Sequence, residues 1–257
     1  MFFKKYTPQE VADYYDKFTP MVLEKINLHD TFQAVSACPI EKLHEHIIRS
    51  ACLKDNLKVL DAGSGIGGPS IYFAKNLNVQ IEALNISAVQ VELFRSKVKD
   101  NNLCERICVK HGDFHDIDKI YPSGYFDVVI FLESFGHGED PDKILKSVFK
   151  VLKNGGILFI KDPFKISTFN PIKALKNEVV IRKCAKHYKF NYRTLKSLRK
   201  LLELNNFEIM KVEISNPSNI SFEKANEYEA LFNLKYQVFK KPVNFTRTYE
   251  ILCRKNV

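Results

Sequence analysis

Between Thr7 and about Ser50 the apolar positions recur at steps of three and four residues: Val11, Tyr14, Tyr15 and Phe18, then Leu43, Ile47 and Ile48. This period predicts amphipathic helices, punctuated by Pro8, Pro20 and Pro39, so residues 1–50 read as a helical N-terminal cap. From Lys58 the pattern shortens into apolar runs at Lys58–Ala62, Val79–Asn85, Ile107–His111, Phe126–Leu132 and Gly156–Asp162. Helical stretches separate these candidate strands. That alternation is what a parallel sheet requires, because each strand must return to the same edge by a crossover.

Two helices also show their ends. Ser87 is placed to N-cap a helix with the stripe Val91, Phe94 and Val98. Asp140-Pro141 opens another, whose stripe is Ile144, Leu145, Val148, Phe149, Val151 and Leu152, and Asn154-Gly155-Gly156 is expected to stop it. Residues 51–164 therefore form the core, 165–193 a basic lid or substrate insertion, and 194–257 the completion of the sheet. In that last part Thr194–Asn205 reads as a helix and Phe207–Ile214 and Thr248–Lys255 as strands. An aromatic excursion at 215–245, with Tyr228, Phe232, Tyr236 and Phe239, lies between the two strands. The expected fold class is α/β: a doubly wound, mostly parallel seven-stranded sheet with an N-terminal cap and a lid insertion.

Composition adds three constraints. At 257 residues and 45 % hydrophobic content the chain can bury a sizeable core. Its formal charge of +9 points to an anionic partner, whether a phosphate-bearing small molecule, a nucleic acid or a membrane surface. The charge is local, since residues 165–200 hold eleven Lys and Arg against one acid, Glu178. A solvated helix face accounts for most such runs. Six cysteines without a C-x-x-C pair indicate neither a zinc site nor a disulfide framework. The start, MFFKKYTP, has no apolar segment behind its lysines, and no run approaches the ~20 apolar residues of a membrane span. A soluble cytoplasmic protein in a reducing compartment is expected.

The candidate chemistry begins at Val59-Leu60-Asp61-Ala62-Gly63-Ser64-Gly65-Ile66-Gly67-Gly68, a strand that ends in an acid and a glycine-dense turn. Such a turn lets backbone approach a nucleoside cofactor where a Cβ would intrude. Gly63, Gly65 and Gly68 also satisfy the G-x-G-x-x-G spacing of dinucleotide sites, and Glu82 lies near the distance of a ribose-binding acid. Asp61 argues the other way. A carboxylate there repels a pyrophosphate at the helix N-terminus but attracts a cofactor carrying a sulfonium and an ammonium, which favours S-adenosylmethionine.

In this order of landmarks the chain resembles the class I S-adenosylmethionine-dependent methyltransferases, which have a Rossmann-like fold. The family's D-x-G-x-G-x-G loop is matched by Asp61, Gly63, Gly65 and Gly67, with Ser64 inside it. The resemblance implies that Asp113, after the third strand, accepts from the adenine amino group and that Phe114 packs on the ring. At the end of the second strand the family usually has an acid for the ribose, whereas this chain has Asn85, followed by Ile86, Ser87 and Gln90. That departure resembles the branch of sterol and prenyl diphosphate C-methyltransferases, cyclopropane-fatty-acid synthases and small-molecule O-methyltransferases. The branch implies further that Tyr15, or Tyr14 beside it, closes over the methionine end of the cofactor, and that Leu132 borders it. It also implies that Glu133 and His137, at the exit of the fourth strand, face the transferred methyl. Without the resemblance, Glu133 reads equally as a turn cap and His137 as a loop histidine. Asp162-Pro163-Phe164 resembles an amide-methylating box but follows the fifth strand instead of the fourth, so it is not read as an amide clamp.

If the acceptor is a hydroxyl, His137 is the general base. If it is an alkene, attack leaves a carbocation that aromatic rings stabilise and that Glu133 or His137 deprotonates. The 20 Phe and 11 Tyr, together with the basic segment, favour an isoprenoid or prenyl diphosphate alkene. The expected partner is thus an apolar small molecule with an anionic group. Magnesium is expected only as a companion of a diphosphate, and no nucleic-acid partner is expected. A natural-product O-methyltransferase is the alternative, and a nucleic-acid methyltransferase a more distant one.

Overall fold

The computed structural model describes residues 4–25, 39–215 and 245–256. Its first helices are α1 (Pro8–Lys25) and α2 (Ile40–Ser50). Strands and helices then alternate: β1 (Lys58–Ala62), α3 (Gly68–Asn76), β2 (Gln80–Asn85), α4 (Ala88–Asp100), β3 (Ile107–His111), the short α5 (Ile117–Ile120), β4 (Phe126–Leu132), α6 (Pro141–Val151) and β5 (Leu152–Lys165). They are followed by α7 (Pro171–Tyr188), α8 (Leu195–Leu204), β6 (Phe207–Ile214) and β7 (Thr246–Lys255). The seven strands lie in the order β3-β2-β1-β4-β5-β7-β6. All neighbours are parallel except that β7 runs antiparallel to both β5 and β6.

Alternate residues of the central strands feed two separate cores, which is what winding helices onto both faces requires. Leu60, Leu84, Val129, Phe131, Leu158 and Ile160 pack on one face with Ile144, Leu145 and Val148 of α6 and Leu198 and Leu202 of α8. Val59, Ile81, Ala83, Val128, Ile130 and Phe159 pack on the other with Leu43 and Ile47 of α2, Phe73 of α3 and Phe94 of α4. The strand order reverses direction between β1 and β4. The crevice beyond their carboxyl ends is where ligands sit in such sheets.

The expected caps form. Ser87 Oγ accepts from the Gln90 amide at 3.1 Å, and Asp140 Oδ1 accepts from the amides of Asp142 and Lys143 at 3.1 Å each. The N-terminal cap is tied to the same place: Asp16 of α1 accepts from Ser87 Oγ at 2.6 Å and from the Val89 amide at 3.2 Å. Gln90 Nε2 donates to Thr19 Oγ1 at 3.0 Å. One helix is thus held across the N-terminus of another, next to the end of β2.

Three expectations need correction. Pro20 does not end α1, which continues through it to Lys25. Asn154-Gly155-Gly156 does not end α6: the helix stops at Val151, Leu152 is already extended and paired with Phe126, and Gly155 (φ +71°) lies where the β4–β5 register shifts. Leu152 is a buried apolar residue, and pairing it in the sheet satisfies its backbone where one more helical residue would not. Finally, β5 extends past Asp162 to Lys165, through Pro163. Lys161 gives its carbonyl to the Glu133 amide, and Lys165 gives its amide to the Arg193 carbonyl. Pro163 shares that edge, beyond the last β4 partner at Lys161, so its missing N–H costs no ladder bond. Within the excursion, Tyr228, Phe232, Tyr236 and Phe239 lie outside the described residues. Among the described residues no helix is long and apolar enough to cross a membrane.

Candidate active site

The loop after β1 takes its shape from glycine. Gly63, Gly65 and Gly67 have φ of +82°, +57° and +86°. A Cβ on Gly63 would collide with Cβ of Ser134, and one on Gly67 with the Phe94 ring, so both steric room and backbone freedom are required there. The turn frames a cavity of about 270 Å³ at the reversal of strand order, bounded by the tips of β1, β2 and β4 and closed over by α1. Tyr15, Asp61, Gly63, Ser64, Gly65, Gly67, Asn85, Ile86, Gln90, Phe114, Leu132, Glu133 and His137 all line it.

Asp113 does not line this cavity. Its carboxylate caps the turn at Phe114–Asp116, accepting from the His115 amide at 2.9 Å and meeting His115 Nδ1 at 2.6 Å. Glu82 is also elsewhere, 3.1 Å from Lys110 Nζ in mid-sheet. Asn85 is anchored by its amide to Gly65 O (3.1 Å) and Gln90 Oε1 (2.7 Å). Of the two tyrosines, Tyr15 faces the cavity, while Tyr14 stacks on Phe18 with ring centroids 5.1 Å apart.

Asp61 is 2 % exposed and accepts from Ser70 Oγ at 2.6 Å. Burial pushes its carboxyl up to about 6, with the Ser70 bond opposing. A cationic ligand at this spot would stabilise the carboxylate. Ser64 Oγ, also buried, has no hydrogen-bond partner among the described residues. An acid short of a cation, a hydroxyl without a partner among the described residues and a glycine turn whose backbone lines the cavity together fit an S-adenosylmethionine molecule. Asp61, Ser64, the glycines, Asn85 and Gln90, which line the cavity, are the residues that would hold it.

His137 is buried, and its tautomer follows from its neighbours. Nδ1 lies 3.1 Å from the Lys189 carbonyl, which can only accept, so Nδ1 carries the proton. Nε2, 2.9 Å from Tyr15 Oη, therefore accepts from that hydroxyl. Burial pushes the imidazole down to about 4, against the raising effect of the Lys189 carbonyl. Burial likewise pushes the Tyr15 phenol well up, and the carboxylates of Glu133 and Asp162 push the same way. The result is a neutral Tyr–His pair in the wall of the cavity.

Glu133 stands at the exit of β4 with φ +60°, a region that non-glycine residues seldom occupy and that clusters at functional sites. Its carboxylate meets the buried Lys161 Nζ at 2.5 Å. Asp162, fully buried, accepts from the Gly136 amide at 3.0 Å and so fixes the loop that carries His137. Burial first, and then the Glu133 charge, hold its carboxyl well above the usual range.

Sequence reasoning missed the tethers Asp16 and Thr19, and it missed Tyr188, Phe190 and Tyr192, whose rings line the cavity. The last three had a signal: aromatic residues at every second position inside the basic run, the period of an extended segment with one buried face.

A family model described as a methyltransferase domain matches residues 36–212. The sterol 24-C-methyltransferase erg6 of Aspergillus fumigatus is 31 % identical over 115 residues, covering 44 % of this chain and 30 % of that protein. The chain spans no more than 60 % of the length of the curated relatives it matches. The crystal structure of the cyclase SpnF is similar over the whole of both chains, with a TM-score of 0.79 at 19 % identity. Geranyl diphosphate C-methyltransferase from Streptomyces coelicolor A3(2), solved with Mg2+, geranyl diphosphate and S-adenosyl-L-homocysteine, covers 84 % of this chain and 80 % of its own, with a TM-score of 0.69 at 12 % identity. These structural likenesses show a shared Rossmann-like fold. The family match takes in more than half of the sequence, including the glycine loop and every cavity-lining residue from Asp61 to Tyr192, and the chain belongs to the methyltransferase-domain family.

Proposed function

We propose that the protein is an S-adenosylmethionine-dependent methyltransferase acting on a small molecule, and that its reaction is C-methylation of an alkene in an isoprenoid or prenyl diphosphate. The state of His137 carries the choice of carbon over oxygen. A base that takes a proton from a hydroxyl works best with a pKa near the operating pH. His137 is held near 4, and its Nε2 already accepts from Tyr15. Such a group is too weak a base for a hydroxyl but sufficient for a carbocation, whose neighbouring C–H bonds are strongly acidic.

The bound cofactor supplies an electrophilic methyl group on a sulfonium and leaves as a neutral thioether. The alkene π pair makes the new C–C bond, leaving positive charge on the more substituted carbon. Phe18, Phe114, Tyr188, Phe190 and Tyr192 face the cavity and stabilise that charge through their π faces. The proton then leaves the adjacent carbon for the Glu133 carboxylate, or for Tyr15 Oη as that hydroxyl hands its own proton to His137 Nε2. The C–H pair closes the new double bond. Alignment inside the cavity supplies much of the acceleration, up to about 7–11 kcal/mol. The similarity to a sterol C-methyltransferase, and the shared fold with geranyl diphosphate C-methyltransferase, support the isoprenoid assignment. In this reading magnesium enters with a diphosphate substrate. The exposed free thiols of Cys52, Cys104 and Cys108 suit a reducing, cytoplasmic setting.

The test is incubation with methyl-labelled S-adenosylmethionine and a panel of prenyl diphosphates, sterols and hydroxylated aromatics. Label on carbon of an alkene acceptor is expected. Label on oxygen alone would replace this reading with an O-methyltransferase.

A further inference from the structure

A second cavity, of about 740 Å³, adjoins the first and has the opposite chemistry. Seven Lys and Arg side chains line it, against one acid, Glu139. They come from the chain start (Lys4 and Lys5), from the end of β5 (Lys165), from α7 (Arg182 and Lys186) and from the segment after α7 (Lys189 and Arg193). Some of this charge is engaged: Lys4 meets Glu10 at 2.6 Å, while Lys165 and Arg182 lie 3.6 and 3.7 Å from Glu178. Arg193 is different. Its guanidinium is bonded to two carbonyls, Phe135 O and Gly138 O, and among the described residues no carboxylate comes within ion-pair distance. Burial lowers its pKa to about 10. The charges of Asp162 and Asp140 oppose that shift from beyond ion-pair distance. Bonded directly only to carbonyls, a partly buried cation at the edge of a basic cavity favours a nearby anion.

Residues 189–193 form the partition between the two cavities. Phe190 and Tyr192 line both. Lys189, in the left-handed region (φ +52°), turns its carbonyl to His137 in the first cavity and lines the second. Asn191 locks the partition to the catalytic loop: its amide N–H donates to Gly136 O at 2.7 Å, and its side chain donates to the carbonyls of Tyr6, His137 and Gly138. Phe190 packs so closely on Gly136 that a Cβ there would enter its ring.

We propose that this second cavity is the subsite for a phosphate or diphosphate group of the acceptor, whose apolar chain passes the Phe190–Tyr192 partition to reach the methyl-transfer cavity. The inference rests on the small-molecule methyltransferase reading and adds to it where the anion sits and which residues hold it. Lys5 and Lys186 are exposed and line the cavity from two separate segments, so reversing both charges tests the subsite without disturbing either core.

The experiment titrates inorganic diphosphate into the 257-residue protein and into a K5E/K186E variant, and measures turnover of a prenyl diphosphate by both. The wild-type protein is expected to bind diphosphate with an affinity that falls with salt, and the variant to lose about tenfold or more. S-adenosylhomocysteine affinity should be equal in the two proteins, which reports an intact fold. Diphosphate should compete with the prenyl diphosphate, and the variant should raise KM with little change in kcat. Absence of diphosphate binding, or equal KM in the two proteins, would overturn the subsite and leave the methyltransferase reading standing. Diphosphate that binds without competing would show a site for a free anion and overturn the link to the acceptor. If no prenyl diphosphate is methylated while diphosphate binds and the variant loses it, the prenyl diphosphate reading falls and the assignment of this cavity to the acceptor falls with it.

Discussion

Asp61 is a buried carboxyl that opposes the fold, and a cationic ligand beside it would offset that cost. Its ordinary pKa of 3.8 rises to about 6 in the folded chain. Below 3.8 the group is protonated whether folded or not. As pH rises through 6 the folded protein must bury a charge that the unfolded chain carries in water, so stability is lost over that window and stays lost at neutral pH. The shift corresponds to roughly 3 kcal/mol. Asp61→Asn should therefore raise the melting temperature of the ligand-free protein at pH 7.5 by several degrees while weakening S-adenosylmethionine binding by about tenfold or more. A thermal scan beside a calorimetric titration checks both halves, and a variant that is less stable and binds equally well would contradict the assignment. At this scale the sequence was readable where chemistry imposes a spacing. The glycines, Asp61 and Asn85 all line the cavity. The local bonding of Asp113 was not readable: its place at the β3 exit says nothing of the turn it caps, where its Oδ1 meets the His115 amide and Nδ1.

Among the elements, α1 is the one whose position the sequence could not supply. Its periodicity predicted a helix, but the tether that sets it across the cavity depends on Asp16 meeting the N-terminus of α4, far along the chain. Asp16 acts there as a second cap beside Ser87, serving an amide that the helix leaves unpaired. Its loss should cost about 1 kcal/mol of stability. The larger effect should fall on the cofactor, because α1 carries Tyr15 and Phe18 into the cavity. Asp16→Ala is expected to raise KM for S-adenosylmethionine several-fold with a small fall in melting temperature, whereas Asp16→Asn, which keeps an acceptor, should recover much of the loss. Steady-state kinetics on the pair decides it, and equal KM values in all three proteins would show that the tether is only structural. The ends of α6 and β5 were misread for a related reason: Leu152 belongs to an apolar stripe that serves a helix and a buried strand equally well, and pairing with Phe126 decides between them.

In the whole molecule the parallel core was legible because crossovers leave a strong alternation of periods, and both faces of the sheet were needed to bury it. The chemistry was less legible, since one fold serves many reactions and only the site can choose among them. What the fold contributes is the reversal between β1 and β4, which brings Asp61, Asn85 and Glu133 from three separate strand ends to one cavity. The account depends on a sulfonium nucleoside lying there against Asp61. The most direct test is a calorimetric titration of the intact protein with S-adenosylmethionine between pH 5 and 8. Saturable binding is predicted, with affinity that falls about tenfold per pH unit below roughly pH 6, as protonation of Asp61 competes with the cation, and that levels off above it. No heat at any pH, alongside tight binding of NADH, would contradict it.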